Sequence, residues 1–183
     1  MPYAITHVLF AVVAAELIRD YAFKKRFSFI YVILAGIAGM IPDIDVLFVL
    51  LSGLPISDAI QGRATYLHPS FTHSILWIPI VLALAFFILN LEKKGKMGIQ
   101  ILEKYKLKMS GILFIMALGI TMHLALDSTL TGFLRIGFFT KPIGLNLVPF
   151  SQFGSMIIGS IDALFLVLWL IHEGIRHKPA KIM

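Results

Sequence analysis

The sequence predicts an all-α integral membrane protein, a helical bundle with about five membrane segments in a single domain over residues 1–183. Three observations carry that expectation. The chain is 58% hydrophobic and only 14% charged, with a mean hydropathy of +0.90; an ordinary soluble domain is about a quarter charged. The apolar residues fall into five long runs. The basic residues gather in alternate connections between those runs. A chain of 183 residues holds one compact domain at most.

The first run, Ala4 to Ile18, is short for a span of ~20 residues, so it is expected to tilt, to start in the interface or to be shielded by its neighbours. The second, Ser28 to Leu51, contains Gly36, Gly39 and Pro42, and a proline inside a helix kinks or restarts it. The third covers Ile75 to Leu91, with Ser70 or Thr72 able to cap it. The fourth covers Gly111 to Leu126 and the fifth Met156 to Ile171. Between the last two, the aromatic and proline-rich stretch Phe133 to Phe153 reads as a packed cap at headgroup level.

Arg19, Lys24, Lys25 and Arg26 follow the first run. Lys93, Lys94, Lys96, Lys104, Lys106 and Lys108 follow the third, and Arg176, Lys178 and Lys181 follow the fifth. Only Arg63, Arg135 and Lys141 lie in the alternate loops. The positive-inside rule therefore predicts the N-terminus outside and the C-terminus in the cytoplasm. The net charge of +6 is accounted for by this orientation, and no nucleic-acid partner is expected. The first run carries His7 and lacks a basic stretch before it, unlike a cleaved signal peptide.

Ionisable groups at membrane depth are expensive and by default mark a site. With no cysteine in the chain, any metal must be held by His, Asp or Glu. On the predicted topology His7, Asp43, Asp45, His68, His73, His123, Asp127 and Asp162 all fall at the outer face, whereas His172 and His177 fall on the cytoplasmic side. His123 and Asp127 stand four apart, on one face of a helix; they can share a metal ion or serve as a polar pair gluing two helices. Asp43 and Asp45 follow Pro42, and a broken helix lets both point inward; a capping role explains one of them but hardly two. His68, His73 and His7 are each inert more often than not when taken alone. Asp162 fits a partner behind the ligands, or a charge near the start of the last segment. Together, imidazoles and carboxylates without thiolates suit zinc, or manganese as the second choice.

The ordered strings Thr6-His7, Pro42-Asp43-Ile44-Asp45, His68 through Thr72-His73-Ser74, and His123 through Asp127 resemble the YdjM-like family of membrane-bound metal-dependent hydrolases. That family is in turn similar to zinc-dependent phospholipase C and the S1/P1 nucleases, all-helical enzymes that hydrolyse phosphodiesters. The resemblance implies that His7, Asp45, His73, His123 and Asp127 are metal ligands, and that Asp43 and His68 are further ligands or proton carriers. Two departures stand out. The family often has Arg after the first His of its third motif, where this chain has Pro69; the phosphate-clamping role is vacant or passes to Arg63, Arg135 or Lys141. Nothing after Asp127 supplies the later His/Glu-rich motif of the soluble enzymes, so one or two metals are expected.

The function expected from sequence is a membrane-embedded metal-dependent hydrolase. Metal-activated water at an extracytoplasmic His/Asp site would cut a phosphoester or another ester, with membrane lipids as partners and a lipid or lipid-linked phosphate as the economical substrate. Two other classes compete. A divalent metal-ion transporter requires polar residues in the cytoplasmic half as well. A scaffold with a structural metal or polar network requires no turnover.

Overall fold

The computed structural model describes residues 4–23, 28–53, 55, 71–97, 99, 102, 104–105, 107–131, 134–138, 140–141, 143–145, 147 and 152–176. These are mostly helical, with no strand among them and only two isolated bridges, Ser74 with Arg135 and Leu134 with Ile143. Six α-helices account for most of the described residues: α1 (Ala4–Leu17), α2 (Ile30–Ala38), α3 (Val46–Leu51), α4 (Trp77–Lys93), α5 (Met109–Leu126) and α6 (Gln152–Arg176).

Small residues set how closely these helices approach. Tight packing between membrane helices is usually achieved this way, because lipid offers no hydrophobic drive for association. Ala11 and Ala15 of α1, and Ala35 and Ala38 of α2, are buried. A Cβ at Gly39 would meet the His7 carbonyl oxygen at 2.8 Å, and one at Gly119 would meet the Ala38 Cβ at 2.6 Å and the Ala35 oxygen at 2.8 Å. Backbone therefore lies against backbone where α1, α2 and α5 cross, and α4 completes the bundle along α5.

Two helices are long and apolar enough to cross a membrane: Met109–Leu130, which runs past the end of α5 through a π-helical turn, and Met156–Ile175 in α6. A third candidate appears if Ile30–Ala38 and Pro42–Val49, bent by 43°, form one broken span. The described residues thus carry two or three candidate spans where the sequence predicts five. The shortfall has physical causes. α1 has 14 residues and α4 has 17, about 21 and 26 Å of helix at 1.5 Å per residue, short of a ~30 Å hydrocarbon core. The continuation of α1 past Leu17 brings in Arg19 and Asp20. α6 is the opposite case. Leu164, Val167, Leu168, Leu170 and Ile171 are all exposed, an apolar surface that water would not tolerate and lipid does.

The predicted break at Pro42 is present. A 3₁₀ turn, Pro42–Asp45, separates α2 from α3 with proline in its first position, where the missing N–H costs nothing. The helices run alternately between two ends of the bundle. At one end lie His7, Gly39, His73 and His123; at the other, the Tyr31 hydroxyl meets the backbone of Lys108, and Asp20 meets His172. The expected cap is partly seen at the first end. The amides of Leu145 and Leu147 donate to the carbonyls of Ser128 and Thr129, and Ile136, Leu145 and Leu147 remain exposed.

Candidate metal centre

Four elements converge on one cluster. α5 delivers His123 and, one turn later at the start of the π turn, Asp127. Their spacing places His123 Nε2 3.1 Å from Asp127 Oδ2, and π turns inside helices recur at functional sites. The Pro42–Asp45 turn delivers Asp43, whose Oδ1 lies 3.4 Å from His73 Nε2 and 3.5 Å from His123 Nε2. A second 3₁₀ turn, Phe71–His73, delivers His73, with Nε2 3.3 Å from Asp127 Oδ2 and 3.4 Å from His123 Nε2. α1 delivers His7, stacked on His123 at 3.7 Å between ring centroids, with Nε2 3.6 Å from Asp127 Oδ1.

Asp43, His73, His123 and Asp127 each offer one ligand atom, and those atoms lie within 4.8 Å of one another. Each imidazole is also held from behind. His123 Nδ1 lies 2.6 Å from the Gly39 carbonyl oxygen, an acceptor only, so Nδ1 carries the proton and donates, leaving the Nε2 lone pair facing the cluster. His73 Nδ1 faces Thr72 Oγ1 at 3.2 Å and Asp45 Oδ2 at 3.4 Å, while the Thr72 hydroxyl donates to Asp45 Oδ2 at 2.8 Å. Carboxylates and carbonyls behind metal-ligating histidines fix tautomer and ring direction in this way. The backbone steadies His73 as well: its carbonyl accepts from the Arg135 amide at 3.0 Å.

The donor set fits a divalent metal. His7, His73, His123, Asp45 and Asp127 are fully buried, yet among the described residues neither ring nitrogen of His7 has a hydrogen-bond partner. Such burial costs free energy unless something compensates it. Burial alone pulls the His73 imidazole down, but hydrogen bonds to Asp127, Asp43 and Asp45 outweigh it and hold His73 well above the usual histidine range.

The predicted residues sort as follows. His73, His123 and Asp127 stand in the tight group, and so does Asp43, which the sequence reading left as either ligand or proton carrier. Asp45, expected as a ligand, is placed behind His73. His7 flanks the group on the Asp127 side. His68 and Arg63 lie outside the described residues. Asp162 faces Thr6 of α1 and is not in the group. Arg135 is drawn to this end by its backbone, with its guanidinium donating to the Thr140 carbonyl.

Residues 1–182 match the YdjM inner membrane protein family. The chain belongs to that family. No curated protein and no solved structure matches it. Family membership and the apolar helices together make this chain a membrane protein.

Sequence reading missed a second group in this YdjM-family chain. Glu16 and Asp20, four apart on α1 and its π-helical extension, meet His172 of α6, which the predicted topology had set aside. His172 Nε2 lies 3.2 Å from Asp20 Oδ2, and Arg19 pairs with Glu16 at 2.9 Å. The spacing of Glu16 and Asp20 was a visible signal. The nearness of His172 was not, since it depends on how α6 docks.

Proposed function

We propose that this protein is a membrane-embedded metal-dependent hydrolase acting on a phosphoester of lipid type. The convergence of Asp43, His73, His123 and Asp127, with both histidines oriented from behind, carries that reading. These four would hold one ion, zinc by preference; His7, on the Oδ1 side of Asp127, is the ligand a second ion would use. When bound, a divalent cation polarises a phosphoryl oxygen and lowers the pKa of water. The chain's own residues do the rest. Asp43 is 19% exposed while the other three are fully buried, so reactants approach from its side. Its Oδ1 faces the histidines, leaving Oδ2 to take the proton as general base. Asp45 and Thr72 keep the His73 proton on Nδ1, turned away from the reacting side. The exposed apolar residues of the cap, Ile136, Leu145 and Leu147, favour a substrate presented at a membrane surface. The gathering of basic residues toward the opposite end favours an extracytoplasmic position for this one.

A transporter is the second reading, favoured by the Glu16, Asp20 and His172 group at the other end. Two features weigh against it. Between the groups α1 runs Val8 to Ala15 without a polar side chain, and Arg19 already neutralises Glu16 where a cation would sit.

Elemental analysis of detergent-purified protein tests the centre. The wild type is expected to retain at least one zinc or manganese per chain, and the His123→Ala/Asp127→Ala double variant none. Hydrolysis of a phosphodiester such as phosphatidylcholine by the loaded wild type, absent in Asp43→Asn, tests the reaction. A metal-free wild type purified without chelators overturns the hydrolase reading. Zinc flux in proteoliposomes without hydrolysis establishes the transporter.

A further inference from the structure

We propose that the end of the bundle opposite the metal centre carries a second ligand site, a groove that takes an acyl chain of an anionic phospholipid with the headgroup phosphate at Lys108. The groove has a volume of about 430 Å³ and lies between the end of α1, α2, α4 and α5, within the usual range of about 300–1,000 Å³ for small-molecule sites. Ile18, Leu89, Phe114, Ile115 and Leu118 make its wall. Its polar rim is largely satisfied internally. The Tyr31 hydroxyl accepts from the Lys108 amide at 2.6 Å and donates to the Lys108 carbonyl at 3.3 Å. The Ser110 hydroxyl and amide both donate to the Glu92 carboxylate. Among the described residues, what remains at the rim for an occupant is apolar wall and the exposed Lys108 side chain.

Charge complementarity selects the occupant. Lys93 at the end of α4, and Lys94, Lys96 and Lys104 on the connection to α5, are exposed at the same end as Lys108. A basic pocket between membrane helices is a recognised setting for anionic headgroups, and a polybasic juxtamembrane segment adds attraction to an anionic leaflet. An apolar wall with a cationic rim matches a phospholipid tail and phosphate, and gives a soluble anion nothing for most of its length. The site is independent of the metal centre: Lys108 caps the start of α5 and His123 lies fourteen residues beyond Met109 on it, about 21 Å at 1.5 Å per residue.

Native mass spectrometry of the full chain in non-ionic detergent, titrated with phosphatidylglycerol or phosphatidylcholine, tests this. The wild type is expected to retain one phosphatidylglycerol per chain, with a preference of about fivefold over phosphatidylcholine, the ratio corresponding to one basic residue near an anionic surface. Leu89→Trp, which fills the groove, should lose both lipids. Lys108→Glu, a surface change with little effect on folding, should lose the preference and keep the tail. His123→Ala should retain phosphatidylglycerol as the wild type does. Equal retention of the two lipids by the wild type overturns the proposal, as does an unchanged preference in Lys108→Glu. Loss of lipid in His123→Ala places the ligand at the metal end and overturns it too. A wild-type dimer that retains no lipid and that Leu89→Trp dissociates shows that a second copy covers the groove instead.

Discussion

Asp43 and Asp45 are two residues apart, and the 3₁₀ turn gives them different work. Asp43 turns its Oδ1 to His73 and His123, whereas Asp45 receives the Thr72 hydroxyl and stands behind His73. Their substitutions should therefore separate. Asp43→Ala is expected to abolish metal retention. Asp45→Asn is expected to keep the ion at saturating metal but to weaken affinity by about 10- to 100-fold, the usual effect of losing a partner behind a ligating histidine. Zinc titration of the metal-stripped variants reads both, and equal losses would remove the distinction. His7→Ala should still retain one ion per chain, because the four-residue group does not include it.

At the scale of elements, the site exists because three helices touch backbone to backbone. Gly119 faces Ala38 of α2, and Gly39, just beyond α2, faces His7 of α1. Gly119→Ala would press a methyl against the Ala35 and Ala38 backbone, contacts that no flexible side chain can relieve. Overpacking of that kind costs about 1–3 kcal/mol. The expected outcome is a lower midpoint of thermal unfolding together with weaker metal retention, since α5 carries both His123 and Asp127. A wild-type midpoint with wild-type metal content would show that the crossing tolerates separation. The π turn that begins at Asp127 follows directly on His123's turn of helix, so the span and half of the cluster are one element.

For the whole molecule, ligand binding and stability are linked, because an ion held by residues far apart in sequence binds the folded state only. Removing metal with a chelator should lower stability by about 2.7 kcal/mol if the ion was present at 100 times its dissociation constant. Restoring zinc should reverse the shift, and the His123→Ala/Asp127→Ala variant should show none. Orientation is tested separately. The chain has no cysteine, so single cysteines at the exposed positions Lys141 and Lys94 can be labelled without background. An impermeant maleimide should reach Lys141→Cys on intact cells and Lys94→Cys only after permeabilisation. The reverse pattern would put the metal centre on the cytoplasmic side.

Composition, apolar runs and Pro42 were sufficient to determine an all-helical membrane chain with a break in its second segment, because hydrophobic period and proline sterics are local properties. The His123–Asp127 pair was equally legible, since four residues make one helical turn wherever the helix sits. The number of full spans was not: the runs containing α1 and α4 are apolar, but how far each helix extends and which charges it takes in depend on where its turns form. Nor was the division of labour between Asp43 and Asp45 readable, for a carboxylate's direction is set by the turn that holds it and by Thr72 and His73 arriving from a distant segment. The group of Glu16, Asp20 and His172 shows the same thing at the other end. Residues 152 apart, as Asp20 and His172 are, become neighbours only through the docking of α6 on α1, which no local pattern encodes.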